Sequence, residues 1–392
     1  MSEPSEIFTA EEFVIPATSP RATRMSTVRP TDRLEIVTNI YTCKLPETVQ
    51  QKQISVFFSH ANGFVKELYE PLFDDLYHSL YDNHGIQIKY IVSFDVVNQG
   101  KSFARNEHKI GNDVIWKDFW NDVVSAHYFL QLQNHPLVRL PLFGMGHSFG
   151  GNIIFGTASI IPRMFVGVIS IDGVIFPEVS GKDFILPVLA YKRRDHWPSR
   201  EKARASLLRS PMIQKFDPRV QSRYFEHAFR ELPTLQYPES TSGVTLATPA
   251  AQELITFSPL PMDLPPNVEE FAQTGSVDCH NAFPAIKVPK LMIMADIGTE
   301  FKDSYVEQAK YDKSLTLVFT ERSHLIPLEK PAYIAGIIAP NVAEMLRAWR
   351  LQEQRDFETP RPTGIHPLYK PYYGPLVKKL RARSVGDGSY KL

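Results

Sequence analysis

Residues 140–155 read LPLFGMGHSFGGNIIF. The apolar run 140–145 leads into Gly146-His147-Ser148-Phe149-Gly150, and the run 151–155, helical in character, follows at once. Strand, sharp turn and helix in that order leave one serine among glycines. The glycines keep the strand and the helix from clashing, and the strained serine backbone projects its hydroxyl above the strand end. There the dipole of the helix N-terminus favours a developing negative charge. Five residues of this kind also arise by chance, but the strand and helix on either side favour a turn built to present Ser148. His147 supports the turn and points the wrong way to act as base for the serine.

Working outward, short apolar runs alternate with longer amphipathic ones. Strands are expected at 33–42, 54–58 and 89–94 before the turn, and at 165–171, 290–294 and 315–319 after it. Near-continuous apolar strands of this sort suit a sheet buried on both faces. Residues 113–132 carry Ile115, Phe119, Val123, Ala126 and Leu130 at helical spacing, and 331–351 begins at Pro331, where a missing N–H costs nothing. The rhythm breaks between Pro177 and Pro289, a stretch too long for a loop and so expected to have structure of its own. The fold class expected is α/β: a mostly parallel, doubly wound sheet with an inserted cap. The expected division is an N-terminal extension over 1–32, a core over 33–176 and 289–352, a cap over 177–288, and an extended basic tail over 353–392.

Composition narrows the function. Lys plus Arg and Asp plus Glu number 43 each in 392 residues, and a chain without a basic surplus is not a wholesale nucleic-acid binder. The two cysteines, Cys43 and Cys279, lack metal-ligand spacing and read as small buried hydrophobes in a reducing compartment. The acidic N-terminus MSEPSEIFTAEEF has no apolar core of a secretory signal, and no apolar stretch approaches the roughly 20 residues of a membrane span. A soluble protein is expected. Neither a metal cluster nor a glycine-rich phosphate loop is visible, so no cofactor is expected.

A serine hydroxyl is a poor nucleophile without a base. Of the 12 histidines, His324 lies just after the last apolar strand and before the final helix, where this architecture delivers a base. Two positions suit the acid. Asp172 ends the strand that follows the serine helix, whereas Asp296 and Glu300 flank Gly298, the usual alternative place, without filling it. Asp172 is favoured, with Glu300 as the alternative acid. For the oxyanion, the N–H of Phe149 is one expected donor and the N–H of Asn62, in the small-residue loop Ser59-His60-Ala61-Asn62-Gly63, the other. His60 is expected to brace that loop.

These pieces together resemble the α/β-hydrolase superfamily over roughly 33–350. The runs HANGFVKELYEPL (60–72), GHSFGGN (146–152), RDHWPSRE (194–201) and FRELPT (229–234) resemble a fungal group more closely. That group includes the peroxisomal acyl-CoA hydrolase of mycophenolic acid biosynthesis, hydrolases of host-selective toxin biosynthesis and, more distantly, the yeast peroxisomal lipase. The resemblance implies a serine hydrolase with Ser148, Asp172 and His324 as its triad and an acyl thioester or ester as substrate. Ala61 stands where many members have glycine, and the chain ends Tyr390-Lys391-Leu392 where a peroxisomal address has a small residue first. Basic residues upstream (Lys378, Lys379, Arg381, Arg383) favour docking of the peroxisomal import receptor; the cytoplasm is the other location.

The leaving group stays open. Seven basic residues, Lys192, Arg193, Arg194, Arg200, Lys202, Arg204 and Arg209, lie in the cap within eighteen positions and suit the phosphates of coenzyme A. A solvated helix face explains them equally well. Acyl-CoA hydrolysis leads by resemblance, with carboxylester or lipid hydrolysis behind it. A non-catalytic binding protein on the same scaffold is less favoured, because serine, acid and histidine are all present.

Overall fold

The computed structural model describes residues 5–46, 52–178, 185–258, 274–295, 301–359 and 369–386. In chain order the strands are β1 (Phe8–Pro16), β2 (Glu35–Cys43), β3 (Gln53–Ser59), β4 (Gln87–Phe94), β5 (Leu142–His147), β6 (Gly167–Ile171), β7 (His196–Trp197), β8 (Phe229–Glu231), β9 (Val244–Leu246), β10 (Lys290–Met294) and β11 (Leu315–Phe319). Eight of them form one sheet in the order β1-β2-β4-β3-β5-β6-β10-β11. Pairing is antiparallel at β1–β2 and β2–β4 and parallel from there on. The expected class holds: this is an α/β sheet, mostly parallel, with a helical insertion between β6 and β10.

The strand order has a switch point. From β3 the chain moves to β4 on one side and then returns to β5 on the other, so the loops leaving β3 and β5 diverge and open a crevice between them. The parallel register aligns Ser59 with Gly146, His147 with Ile171, and Ile171 with Ile293. Segments 60–63, 148–149, 172–173 and 295 therefore emerge side by side at one edge. Strands β3, β5, β6 and β10 are buried along their whole length, which their apolar sequences allow and which keeps this edge rigid.

Two helices cover the sheet next to the crevice. Helix Phe149–Ile160 follows β5 and carries no charged side chain; helix Trp116–Leu132 packs on it. Trp120 Nε1 donates to Asn152 Oδ1 at 3.0 Å, and a Cβ at Gly156 would sit 2.1 Å from the Trp120 ring. Cys43 and Cys279 are both buried and free, as small hydrophobes.

Some elements differ from expectation. Residues 8–16, expected within an N-terminal extension, form β1 and pair with β2 along nine positions. This strand is an edge strand with only Phe8 and Ile15 buried, so its exposed residues, among them Glu11 and Glu12, hide the strand pattern. The insertion holds helices Ile185–Tyr191, Arg200–Leu207, Pro211–Lys215, Pro218–His227 and Ala250–Phe257 with a small antiparallel sheet, β7-β9-β8. Most of the proline-rich stretch after Phe257 lies outside the described residues. Helix Pro331–Glu358 runs seven residues past its expected end at 351.

Residues 1–346 form one compact unit and 347–392 a second. The second unit corrects the expected extended tail. It holds the end of helix Pro331–Glu358 and a further helix, Tyr369–Gly386. In the first of these, Gln352 bonds Asp356 and Gln354 bonds Glu358 one turn apart. In the second, Lys378, Lys379, Leu380, Arg381 and Ala382 are strong helix formers that outweigh Pro375. The last three residues, Tyr390 to Leu392, lie outside the described residues. Among the described residues no helix is long and apolar enough to cross a membrane.

Candidate active site

Ser148 sits at the end of β5 with φ 55° and ψ −120°, a conformation that a residue with a side chain rarely adopts. Its surroundings enforce it. Ser148 N donates to Ile171 O at 2.9 Å, and Ser148 O accepts from Gly151 N at 3.0 Å and Val174 N at 3.2 Å. The glycines prove to be clearance: a Cβ at Gly146 would lie 2.2 Å from Gly150 O, and one at Gly150 would lie 2.1 Å from Ser59 O.

The loop after β11 brings His324 to the serine. Its Nε2 lies 2.9 Å from Ser148 Oγ and its Nδ1 lies 2.7 Å from Asp172 Oδ2. Asp172 has φ 45°, its N donates to Ile293 O, and its Oδ1 accepts from Ala295 N at 2.8 Å. The aspartate is thus locked between β6 and β10 while its Oδ2 meets the histidine. A carboxylate only accepts, so His324 Nδ1 carries the proton and Nε2 is free to accept from the serine hydroxyl. Three residues separated by up to 176 positions form one hydrogen-bonded chain. Ser148 is 6% exposed and Asp172 is 2% exposed, whereas the His324 side chain between them is partly open to solvent. Glu300, the alternative acid, lies outside the described residues.

Across the switch point, the loop after β3 faces the serine turn. Neither the backbone N–H of Asn62 nor that of Phe149 donates to another protein group among the described residues. His60 is fully buried, with Nδ1 2.8 Å from Ala61 O and Nε2 accepting from Val96 N at 3.2 Å. Burial pushes its imidazole below the ordinary value, and the neutral ring serves as a strut. Asn62 Nδ2 donates to Glu253 O at 3.0 Å, and Gly63, at φ 81°, donates its N–H to Gln99 Oε1 at 2.9 Å. The loop is therefore pinned from the core side and from helix Ala250–Phe257 of the insertion.

The arrangement is a hydrogen-bonded serine–histidine–aspartate chain beside unengaged backbone amides at the switch point of an α/β sheet. No family model matches the chain. The structure aligns with the peroxisomal α/β-hydrolase Lpx1 of Saccharomyces cerevisiae at a TM-score of 0.70, covering 99% of this chain and 100% of that one at 16% identity. The chain has the α/β-hydrolase fold.

Sequence relatives place this chain beside the fungal group that the motifs point to. It is 36% identical over 272 residues to the type I acyl-CoA thioesterase mpaH of Penicillium brevicompactum, a match covering 64% of this chain and 60% of the thioesterase's length. It is 28% identical over 221 residues to the abhydrolase domain-containing protein AFT2-1 of Alternaria alternata, covering 52% of this chain and 83% of that protein.

In this chain most of the insertion's basic run is already engaged. Arg193 pairs with Glu253 at 2.6 Å and donates to Tyr224 OH at 3.1 Å; Arg200 pairs with Glu231 at 2.6 Å. Arg194 and Arg204 lie over the rings of Trp197 and Phe225. Lys192, Lys202 and Arg209 are exposed. The residues that sequence reasoning missed are those tying loops together: Tyr69, Gln99 and Glu253. Tyr69 lies inside the run HANGFVKELYEPL, but nothing in that run shows its partner, 78 positions away. Among the described residues no group of three or more His, Cys, Asp or Glu side chains is arranged to hold a metal ion.

Proposed function

We propose that this protein is a serine hydrolase that cleaves an acyl thioester, and that acyl-coenzyme A is its substrate class. The observation that carries the proposal is the hydrogen-bonded chain Ser148–His324–Asp172 with the serine in strained backbone at a switch point. In the first step His324 Nε2 takes the proton of Ser148 Oγ as the oxygen attacks the carbonyl carbon. The carbonyl oxygen becomes an oxyanion, held by the N–H groups of Asn62 and Phe149. Asp172 keeps His324 in the productive tautomer and steadies its charged form. Collapse of the tetrahedral species breaks the carbon–sulfur bond, and His324 returns the proton to the leaving thiolate. Water, activated by the same histidine, then releases the acid and frees the serine.

The thioester assignment draws on the likeness to the Penicillium thioesterase, whose matched part is 60% of its length. Hydrolysis of a carboxylester or lipid ester is the second reading. It is favoured by the cap's arginines, since Arg193 and Arg200 already hold carboxylates and so offer less to a coenzyme A phosphate. Comparison of kcat/KM for an acyl-CoA and an oxygen ester with the same acyl chain separates the two. A higher value for the thioester supports the first reading, and a strong ester preference at saturating substrate removes it. Peroxisomal import through Tyr390-Lys391-Leu392 belongs to the same proposal, as does the inserted segment's role as a cap. Import fails as a proposal if a chain lacking those three residues still reaches the organelle.

A further inference from the structure

We infer that Tyr69 and His147 form a positioning relay that fixes the oxyanion loop and the His324 loop relative to each other, without touching the reacting atoms. The inference rests on the serine-hydrolase reading above and adds two working residues to it.

Each atom of the relay has one possible role. Tyr69 is fully buried at the end of the turn Lys66–Tyr69, and its hydroxyl oxygen accepts from Ala61 N at 3.0 Å. The same hydroxyl lies 2.8 Å from His147 Nδ1, and His147 Nε2 lies 2.8 Å from the carbonyl oxygen of His324. A carbonyl accepts only, so Nε2 carries the proton of His147. Nδ1 of the neutral ring is then an acceptor, and the Tyr69 hydroxyl donates to it. Donation runs one way, from Ala61 N–H through Tyr69 and His147 to the His324 carbonyl.

Both ends of this chain bear on the reaction. Ala61 O accepts from His60 Nδ1 at 2.8 Å and from Phe64 N at 3.2 Å, while Ala61 N is held by Tyr69. A trans peptide is planar with its N–H opposite its C=O, so fixing Ala61 on both sides aims the Asn62 N–H. At the other end the His324 backbone hangs from the ring of the residue that immediately precedes Ser148. The two imidazoles also pack together, with ring centroids 5.0 Å apart. His324 thus takes its height from His147 and its rotation from Asp172. The relay is buried, so water offers no ready substitute for a lost link.

The test uses the full chain and follows fluorophosphonate labelling of Ser148 together with kcat and KM on an acyl-CoA. Tyr69→Phe keeps the ring and removes the hydroxyl. The expected result is a fall in labelling rate and in kcat of about tenfold or more, because small misplacements of reacting groups cost factors of this size. KM is expected to change less than about twofold, since no substrate contact is lost. Unchanged labelling and kcat in a folded Tyr69→Phe protein overturn the relay and leave the serine-hydrolase reading intact. An unlabelled, inactive wild type removes both. If Tyr69→Phe does not fold, His147→Gln, which keeps an N–H for the His324 carbonyl, is compared with His147→Leu, which has none. Faster labelling of the glutamine variant supports the relay, and equal labelling overturns it.

Discussion

Ser148 Oγ and His324 Nε2 lie 2.9 Å apart although 176 positions separate them. The contact exists because β5 and β11 end on the same edge of one sheet, with β6 and β10 as spacers between them. Asp172 stands on the first spacer and reaches His324 at 2.7 Å, so the chain order serine, acid, histidine becomes a line in space.

Asp172→Asn should abolish most activity while leaving the fold intact. An amide in place of the carboxylate offers an N–H to His324 Nδ1 and turns the ring into the wrong tautomer, a change that costs about 10⁴-fold in kcat where it has been described for this constellation. Glu300→Gln should retain at least half of the activity. Steady-state kinetics on both variants checks this, and the reverse order of effects moves the acid to Glu300.

Gly150→Ala should damage the site without altering any side chain in it. The new Cβ would lie 2.1 Å from Ser59 O and 2.7 Å from His60 O, both backbone atoms that no rotamer change can move. Either the serine turn or the oxyanion loop must shift, and a fall in kcat/KM of about 100-fold is expected for displacements near 1 Å. Kinetics with a melting curve checks it; full activity with an unchanged Tm would show that the two backbones are not held in contact.

Acid should destabilise the fold through His147. Burial, then the neighbouring His324, pushes its imidazole from 6.5 down to about 3. Between those values the unfolded chain binds a proton that the folded chain refuses. The stabilisation is therefore complete above pH 6.5 and is lost as pH falls towards 3, with a slope of about 1.4 kcal/mol per pH unit for one proton. From pH 7 to pH 5 the wild type should lose about 2 kcal/mol more than His147→Gln. Denaturant unfolding at the two pH values measures the difference, and equal losses would show that His147 takes up its proton in the folded state.

Arg193→Met should lower kcat/KM equally for an acyl-CoA and for a matched simple ester. The guanidinium holds Glu253, whose helix carries the carbonyl that binds Asn62 Nδ2, so its loss reaches the oxyanion loop rather than a phosphate. A loss confined to the acyl-CoA would instead assign Arg193 to the coenzyme.

How much of this was legible in the chain depends on what each residue answers to. The stretch around Ser148 was readable because sterics act locally there: glycines where backbones nearly touch, an apolar strand before, an apolar helix after. The strand at 290–294 was readable because burial along its whole length keeps it almost wholly apolar, and the edge strand at 315–319 because four of its five residues are apolar even though only Leu315 is buried. Strand β1 was not, since an edge strand answers to solvent on most of its length, and its acidic residues read as an extension. The helix at 369–386 was hidden by its prolines. The pairing of Tyr69 with His147 carries no local signal, because the two meet only when β3 and β5 lie side by side. Arg193 looked like one of seven surface cations until Glu253 was seen against it.

The central claim is that Ser148 forms a covalent acyl-enzyme. Intact-mass measurement of the wild type and of Ser148→Ala after brief mixing with an acyl-CoA, followed by peptide mapping, tests it most directly. The expected result is an adduct of one acyl group on the peptide bearing Ser148 in the wild type, with none in Ser148→Ala. Turnover of acyl-CoA by Ser148→Ala at the wild-type rate, or an acyl group mapped to any other residue, would contradict it.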